Sequence, residues 1–494
     1  MPIYNEDPDA VFAKLAAIDR SLARCKIDPL FDIFVLSDTK DDSIAAQERA
    51  HFERLELHAT TKVFYRRREN QYHRKAGNLA EWVRRFGAAY ENMIVLDADS
   101  LMRGETMQRL VAFMERHPRA GMVQTVPVII NAETMFGRYL QFGVRMYGQV
   151  AAAGLAWWSG SEGSYWGHNA IVRVRAFAAA AGLPVLTGPR PFGGHIMSHD
   201  VVESVLMRRA GWEVHIDARL SGSYEESPPT IIDFIARDRR WCQGNFQHVQ
   251  VLKAKGLHWV SRAHLFMGVQ SYLVSPLWFG FLAIGIAQNF EYGMPSGWEG
   301  FKLFSNEQPT NPAMVTLTAL TVVLLFGPKL FGALLVLLNK TDRKRFGGTG
   351  AVLRGMMGEM LVSSLLAPVM MLMQTRALYE IAAGRDCGWL PQNRNAEAVS
   401  WGDAFKFSGW QFWLGIALAI GFAPYPGLLI WTAPIWFGLI AIPFLTVLSS
   451  RRELAEAARA QGVWLTPEEA PAGEVRRWTE AAPNWGLRPA PDAV

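Results

Sequence analysis

Between about residue 264 and residue 448 this chain carries apolar stretches long enough to cross a lipid bilayer. In hydrocarbon every backbone N–H and C=O must find its partner inside the protein, so these stretches have to be helices. Residues 264–288 form one span, kinked by Pro276, and residues 313–338 a second with Gly327-Pro328-Lys329 in its middle. A lone lysine is costly in lipid, so Lys329 is expected to face protein, a water-filled path or sugar. Residues 409–422 and 428–448 read as a hairpin pair of spans around Pro424-Tyr425-Pro426-Gly427. Residues 351–383 are apolar too, but Arg354, Glu359, Pro368, Gln374, Arg376 and Glu380 interrupt them. They are expected to form an interfacial amphipathic helix or a re-entrant hairpin on the cytoplasmic face. The loop at 339–345 and Arg451-Arg452 are basic, whereas 289–312 holds one Lys against three Glu. The positive-inside rule puts the former in the cytoplasm and the latter outside it. Residues 256–450 thus read as an all-α transmembrane domain, and 451–494 as a polar, loosely ordered tail.

Residues 1–255 have a different texture. The 50% hydrophobic composition exceeds that of most soluble enzymes, and the excess sits in the later half. Here short apolar runs alternate with helical periodicity. The runs are Phe31 to Leu36, Thr61 to Tyr65, Met93 to Leu96 and Gly121 to Val128. Helices are expected at 8–26, at 78–86, after the Asp97 strand to about 117, and from about 134 to 153. Alternation of this kind gives right-handed crossovers and an α/β domain, with a mostly parallel sheet and flanking helices. Met1-Pro2-Ile3 reads as the end of a strand too short to stand alone, which points to a sequence that begins inside a longer protein. Its opening residues lack the charged lead and apolar core of a signal peptide.

A net charge of +5 with no basic run interleaved with aromatics excludes a nucleic-acid groove. Cys25, Cys242 and Cys387 supply neither a disulfide framework nor metal-ligand spacing, in keeping with a reducing compartment.

Strand ends in such a sheet collect on one rim, where α/β proteins place their ligands. Met93-Ile-Val-Leu-Asp97-Ala-Asp99-Ser100 brings two carboxylates to that rim, and hard oxygen ligands suit Mg²⁺ or Mn²⁺ already holding phosphates. An Asp-x-Asp alone is far more often a solvated turn. Asp38 ends another strand, either as a partner for a base or ribose or as a turn former. Lys75 enters a helix where it can neutralise a diphosphate, or belongs to a solvated charge run. Asp200 opens a helix after Gly193-Gly194, as an N-cap or as a carboxylate at the pocket mouth. Trp166, His168 and Asn169 combine an aromatic with polar groups, as a sugar platform or a strand with a turn. Arg240-Trp241 offers a pyrophosphate partner and an indole that can stack on a sugar.

Taken together, Pro2-Ile3-Tyr4-Asn5-Glu6, Asp38, Lys75-Ala76-Gly77-Asn78, Asp97-Ala98-Asp99, Gln124-Thr125, Ser198-His199-Asp200 and Arg240-Trp241 carry a resemblance. Over residues 1 to about 450 the chain resembles the family 2 inverting glycosyltransferases of the GT-A fold. Within these it is similar to the membrane-integrated processive synthases, cellulose synthase among them, and most of all to the bacterial synthases of osmoregulated periplasmic glucans. The resemblance implies UDP-glucose as donor, a growing β-glucan as acceptor, and an inner-membrane enzyme with a cytoplasmic catalytic domain. It implies that Asp38, Lys75, Asp97, Asp99, Arg240 and Trp241 bind the donor, with Asp97 and Asp99 at the metal. Asp200 would be the general base, and Trp166, His168, Asn169 and Trp241 would face the acceptor. A loop holding Trp389, Gln392 and Arg394 would close over the donor, and a periplasmic glucan-processing protein is implied as partner.

The chain departs from cellulose synthases in having Ser37 before Asp38, Ser198-His199 before Asp200, and Arg237 where they have Gln. These differences argue against cellulose as product. A transporter with a nucleotide-binding domain is disfavoured by the lack of a Gly-Lys-Ser/Thr loop. A transferase adding one sugar to a lipid is the remaining alternative.

Overall fold

In a computed structural model the described residues are 1–291, 312–386 and 397–469. Strand β1 (Pro2–Ile3) leads through Asp7, whose side chain accepts from the Asp9 N–H, into α1 (Pro8–Arg24). Pro8 at the first turn loses no hydrogen bond there. Val11, Phe12, Leu15, Ile18 and Leu22 bury one face of α1. Strand β2 (Asp32–Ser37) pairs in parallel with β1 and with β3 (Lys62–Arg67). Between β2 and β3 runs α2 (Asp42–His58), which the apolar pattern does not announce. Only Ala45, Glu48 and Leu55 of its 17 residues are buried, too few for a visible period. Helix α3 (Arg74–Phe86) begins four residues earlier than its periodicity indicates.

The second sheet is built from β4 (Asn92–Val95), β6 (Ala120–Thr125), β8 (Ala170–Arg173) and β9 (Glu213–Asp217) in the order β4-β8-β6-β9. A small third sheet joins β5 (Leu101–Met102), β7 (Val128–Ile129) and β10 (Ser223–Glu225). Parallel pairs dominate the first sheet and recur at β6–β9, while β8 runs antiparallel to both neighbours. Its reversal is made by Gly167 and Asn169, with φ of 93° and 54° just before the strand. Helices α4 (Gly104–Arg116), α7 (Val174–Ala180) and α8 (His199–Arg209) pack around these strands. The expected helix at 134–153 is α5 (Met135–Gly143) and α6 (Gln149–Ser159), joined by a π-helical turn at Val144–Gly148.

Helix α9 (Ile231–Val251) connects this α/β half to the helical half. There follow α10 (Trp259–Glu291), α11 (Pro312–Leu338), α12 (Lys340–Arg345), α13 (Thr349–Ala382), α14 (Trp401–Phe422), α15 (Pro426–Trp431), α16 (Ala433–Ser449) and α17 (Arg452–Ala460). Among the described residues three stretches, Trp259–Ala287, Ala319–Leu338 and Thr349–Ala382, are long and apolar enough to cross a membrane. Helices α16 and α17 reach that standard only together, across an 83° bend. The expected span at 409–422 lies in α14, where Lys406, Ser408 and Gln411 lower the apolarity. Lys329 does face protein, bonding both Glu359 oxygens at 2.8 and 3.0 Å and Ser363 Oγ at 3.0 Å.

Two expectations need correction. Residues 351–383 are no hairpin, because Thr349–Ala382 is one unbroken helix. Both its ends touch the α/β half: Gly355 lies against Phe142, while Gln374 donates to Asp238 and Glu380 pairs with Arg239. About 37 Å of helix separates those contacts, so α13 runs along that half. The described part of the tail, 451–469, is tied to the rest of the protein. Trp464 is buried and donates to Gly355 O at 2.9 Å, and Glu469 pairs with the fully buried Arg138.

Candidate active site

The ends of β1 and β2, the segment after β3 and the start of α3 enclose a cavity of about 1100 Å³. Lys40, Arg67, Arg68, Arg74, Lys75 and Arg240 line it against Glu6, Asp38, Glu69 and Asp97, a positive excess suited to a diphosphate. Asp38 is buried at the end of β2, and both its oxygens accept 2.6 Å bonds from Arg68. Arg68 also donates to Tyr72 O and Arg74 O, so Asp38 pins the loop that delivers Lys75. Beneath it the buried Glu48 carboxylate accepts from Ser37, Thr39 and Tyr65 at 2.7, 2.5 and 2.8 Å.

Lys75 lies in the first turn of α3, entered through left-handed His73 and Arg74 (φ 57° and 50°). No side chain caps this turn, although its first N–H, that of Arg74, is taken by Gln71 O at 3.3 Å. The Lys75 ammonium donates to Asp97 Oδ1 and, at 2.9 Å, to Gly167 O. Asp97 and Asp99 do not alternate along a strand. β4 stops at Val95, and Ser100 N–H donates to Asp97 O at 2.9 Å while Asp97 N–H donates to Ser100 Oγ at 3.0 Å. On this turn Asp97 lines the cavity, whereas Asp99 is outside its lining and acts electrostatically on His168, Glu225 and Arg237.

His168 Nε2 is 3.3 Å from Glu225 Oε2. Burial disfavours its imidazolium, but the Asp97 and Glu225 carboxylates prevail and raise its pKa above the usual histidine value. Burial, aided by Asp99, also raises the Glu225 carboxyl. Asp200 lies in the first turn of α8 after Ser198, whose side chain makes no cap. It packs on Gly167, where an added Cβ would meet Asp200 Oδ2 at 3.2 Å. Asp200 does not line the large cavity either; His199 and Lys75 border a second one of about 250 Å³ beside it.

Other expected residues divide. Trp241 is 49% exposed, with the Arg237 guanidinium 4.5 Å from its ring centroid. Trp166 packs against the Val126, Ala152 and Ile216 cluster, its backbone N–H donating to Gln124 Oε1 at 2.9 Å. Asn169 is fully buried and donates to Ser223 Oγ and Tyr224 O, so its amide is not offered to an acceptor. Trp389, Gln392 and Arg394 lie outside the described residues.

A metal fits this donor set in one way. Among the described residues no three His, Cys, Asp or Glu are grouped as a protein-only cage. Magnesium-type sites use one or two carboxylates and take further oxygens from substrate phosphates and water. Asp97 offers one such carboxylate at the cavity and already holds a cation in the form of Lys75, while Asp99, two residues on, lies outside the lining.

The model of glycosyl transferase family group 2 matches residues 93–339, and that of glycosyl transferase family 2 matches residues 1–179. The chain is 50% identical over 480 residues to glucans biosynthesis glucosyltransferase H of Caulobacter vibrioides, covering 95% of this chain and 72% of that protein. The protein of the same name from Bradyrhizobium diazoefficiens is 45% identical (96% of this chain, 64% of that one). That from Xanthomonas euvesicatoria pv. vesicatoria is 43% identical (95% and 74%). The chain belongs to the glucans biosynthesis glucosyltransferase H family. It is therefore a family 2 glycosyltransferase of glucan biosynthesis, with a GT-A-like α/β domain followed by helices of membrane-spanning character. A Staphylococcus aureus TarS fragment solved with UDP aligns at 12% identity and TM-score 0.29 (78% of this chain, 88% of that one), too remote to bear on this glucosyltransferase.

Sequence reasoning missed Glu48 and Glu225, each signalled only by a tertiary partner. It also passed over the need for glycine at position 77. A Cβ there would lie 2.0 Å from Tyr72 O, so the start of α3 cannot accept a side chain. Gly77→Ala is expected to lower stability by about 1–3 kcal/mol and to weaken UDP binding through displaced Lys75. Thermal unfolding of the detergent-purified glucosyltransferase checks the first part and calorimetry with UDP the second.

Proposed function

We propose that this glucosyltransferase takes glucose from UDP-glucose and adds it, with inversion, to a growing β-glucan. The nucleoside lies toward Asp38 and the diphosphate between Lys75, Arg240 and the first turn of α3. Asp97 and Asp99 hold Mg²⁺ or Mn²⁺, which when bound offsets the charge of the departing UDP. Asp200 accepts the proton of the acceptor hydroxyl as that oxygen attacks the anomeric carbon. A carboxylate is a weak base, but it need only take a proton already leaving in the transition state. Lys75 and Arg240 stabilise the leaving group electrostatically. Trp241, with His168 and Trp166 nearer the sheet, faces the acceptor.

Lys75 supports this reading most directly. Its ammonium joins Asp97 to the carbonyl of Gly167, and Asp200 packs on that same glycine. Four segments, around positions 75, 97, 167 and 200, thus meet beside a cationic cavity. The enzyme sits in the bacterial inner membrane with this domain in the cytoplasm, as the basic flanks at 339–345 and 451–452 favour. α13 lies at the interface, given its contacts with the α/β half at both ends. The product is an osmoregulated periplasmic glucan with a β-1,2 backbone, passed across the membrane.

Membranes incubated with radiolabelled UDP-glucose should yield oligosaccharide whose methylation analysis gives 2-linked glucose. A 4-linked polymer would indicate a cellulose-like synthase, and one labelled glycolipid a single-transfer enzyme; either outcome sinks the proposal. Asp99→Ala is expected to abolish the metal-dependent part of UDP binding, measured by calorimetry with and without Mn²⁺. Unchanged binding would move the metal elsewhere.

A further inference from the structure

We infer that α6 is a membrane-contacting helix, with its Ala153 and Trp157 face seated in the headgroup region of a phospholipid bilayer. The inference depends on α10 and α11 crossing the membrane and on none of the donor or base assignments.

A helix on the surface of an α/β domain normally turns a polar face to water. Helix α6 reads Gln-Val-Ala-Ala-Ala-Gly-Leu-Ala-Trp-Trp-Ser and carries no charge. Ala152 and Ser159 are its buried residues, while Ala151, Ala153, Gly154 and Trp157 are exposed. Trp157 is 87% exposed, the highest value of any large apolar residue described. Its neighbours identify what covers it. Trp158 stands edge-on to Trp259 at 6.0 Å and to His264 at 5.3 Å, both in the first two turns of α10. The π-helical turn before α6 abuts α11 so closely that a Cβ at Gly332 would meet Met146 O at 2.8 Å. α6 therefore stands beside the start of one candidate span and the last turns of another, which lie on the same side of a membrane. Phe331 and Leu334, which flank Gly332 on α11, are exposed and apolar as well. Tryptophan concentrates at this depth, where its ring is apolar and its N–H stays wet. Exposed Lys340, Lys344 and Arg345 of α12 follow directly after α11, where headgroups would meet them.

The test is spin-label accessibility in the full chain, reconstituted in phosphatidylcholine/phosphatidylglycerol nanodiscs. Cys25, Cys242 and Cys387 are first replaced by serine. Labels are placed through Ala151→Cys, Ala153→Cys and Trp157→Cys, with Leu57→Cys on α2 as the water reference and Leu277→Cys on α10 as the lipid reference. Collisions with oxygen at 153 and 157 should exceed those at 57, and collisions with a soluble nickel chelate should fall severalfold below it. The derived depth should be shallower than at 277. Nickel collisions equal to those at 57 would place the face in water. Exclusion of both quenchers would mean a protein cover, such as a second copy. Either result overturns the inference. If one label disturbs α6, the other two exposed positions still decide it.

Discussion

Asp200→Asn loses glucose transfer by about 100-fold or more and keeps its affinity for UDP-glucose. The amide is nearly isosteric, so α8 and its contact with Gly167 survive, while the carboxylate proposed to accept the acceptor's proton is gone. The donor side is untouched in this geometry. Arg68 holds Asp38, Lys75 holds Asp97, and Asp200 lies outside the lining of the large cavity. Transfer measured with radiolabelled donor, beside calorimetric titration of UDP-glucose, separates the two effects. Retained turnover would remove Asp200 from the role. Loss of donor affinity would assign it to binding instead.

Glu469→Ala costs about 3–5 kcal/mol, the penalty for leaving a buried charge without its partner. Arg138 on α5 is 0% exposed, and its guanidinium pairs with the Glu469 carboxylate and donates to Val463 O and Trp464 O. Arg459 at the end of α17 shares the same carboxylate at 2.9 Å. Removing it therefore frees two cations at the seam between α5 and the segment after α17. Thermal unfolding in detergent should show a large drop, and limited proteolysis should cut near 463–469. An unchanged melting profile would mean that the carbonyls alone satisfy Arg138.

Much of this was legible in the chain because the signals are local. Apolar runs followed by turn-forming acids mark β2 and β4, and unbroken apolarity marks α10 and α11. Where the signal was weak or non-local, expectation and structure part. α2 buries three residues of seventeen and leaves no period to read. The segment at 452–469 is polar, so it reads as a loose tail; its order comes from Arg138, more than three hundred residues away. The polar and charged residues within α13 read as breaks in a span, yet Glu359, Gln374 and Glu380 find partners on Lys329, Asp238 and Arg239. Asn169 reads as a sugar ligand because a polar residue among aromatics invites it, but a left-handed backbone buries it as a brace for β10.

The sequence by itself determined the division into an α/β half and a helical half, and the set of acids and cations available to the chemistry. Periodicity and charge are written residue by residue, so neither needs the fold to be read. Only the tertiary structure decided which of those groups meet: Lys75 on Asp97, Arg68 on Asp38, Asp200 against Gly167. Ion pairs form between residues that packing brings within a few ångströms, and spacing along the chain does not encode that distance.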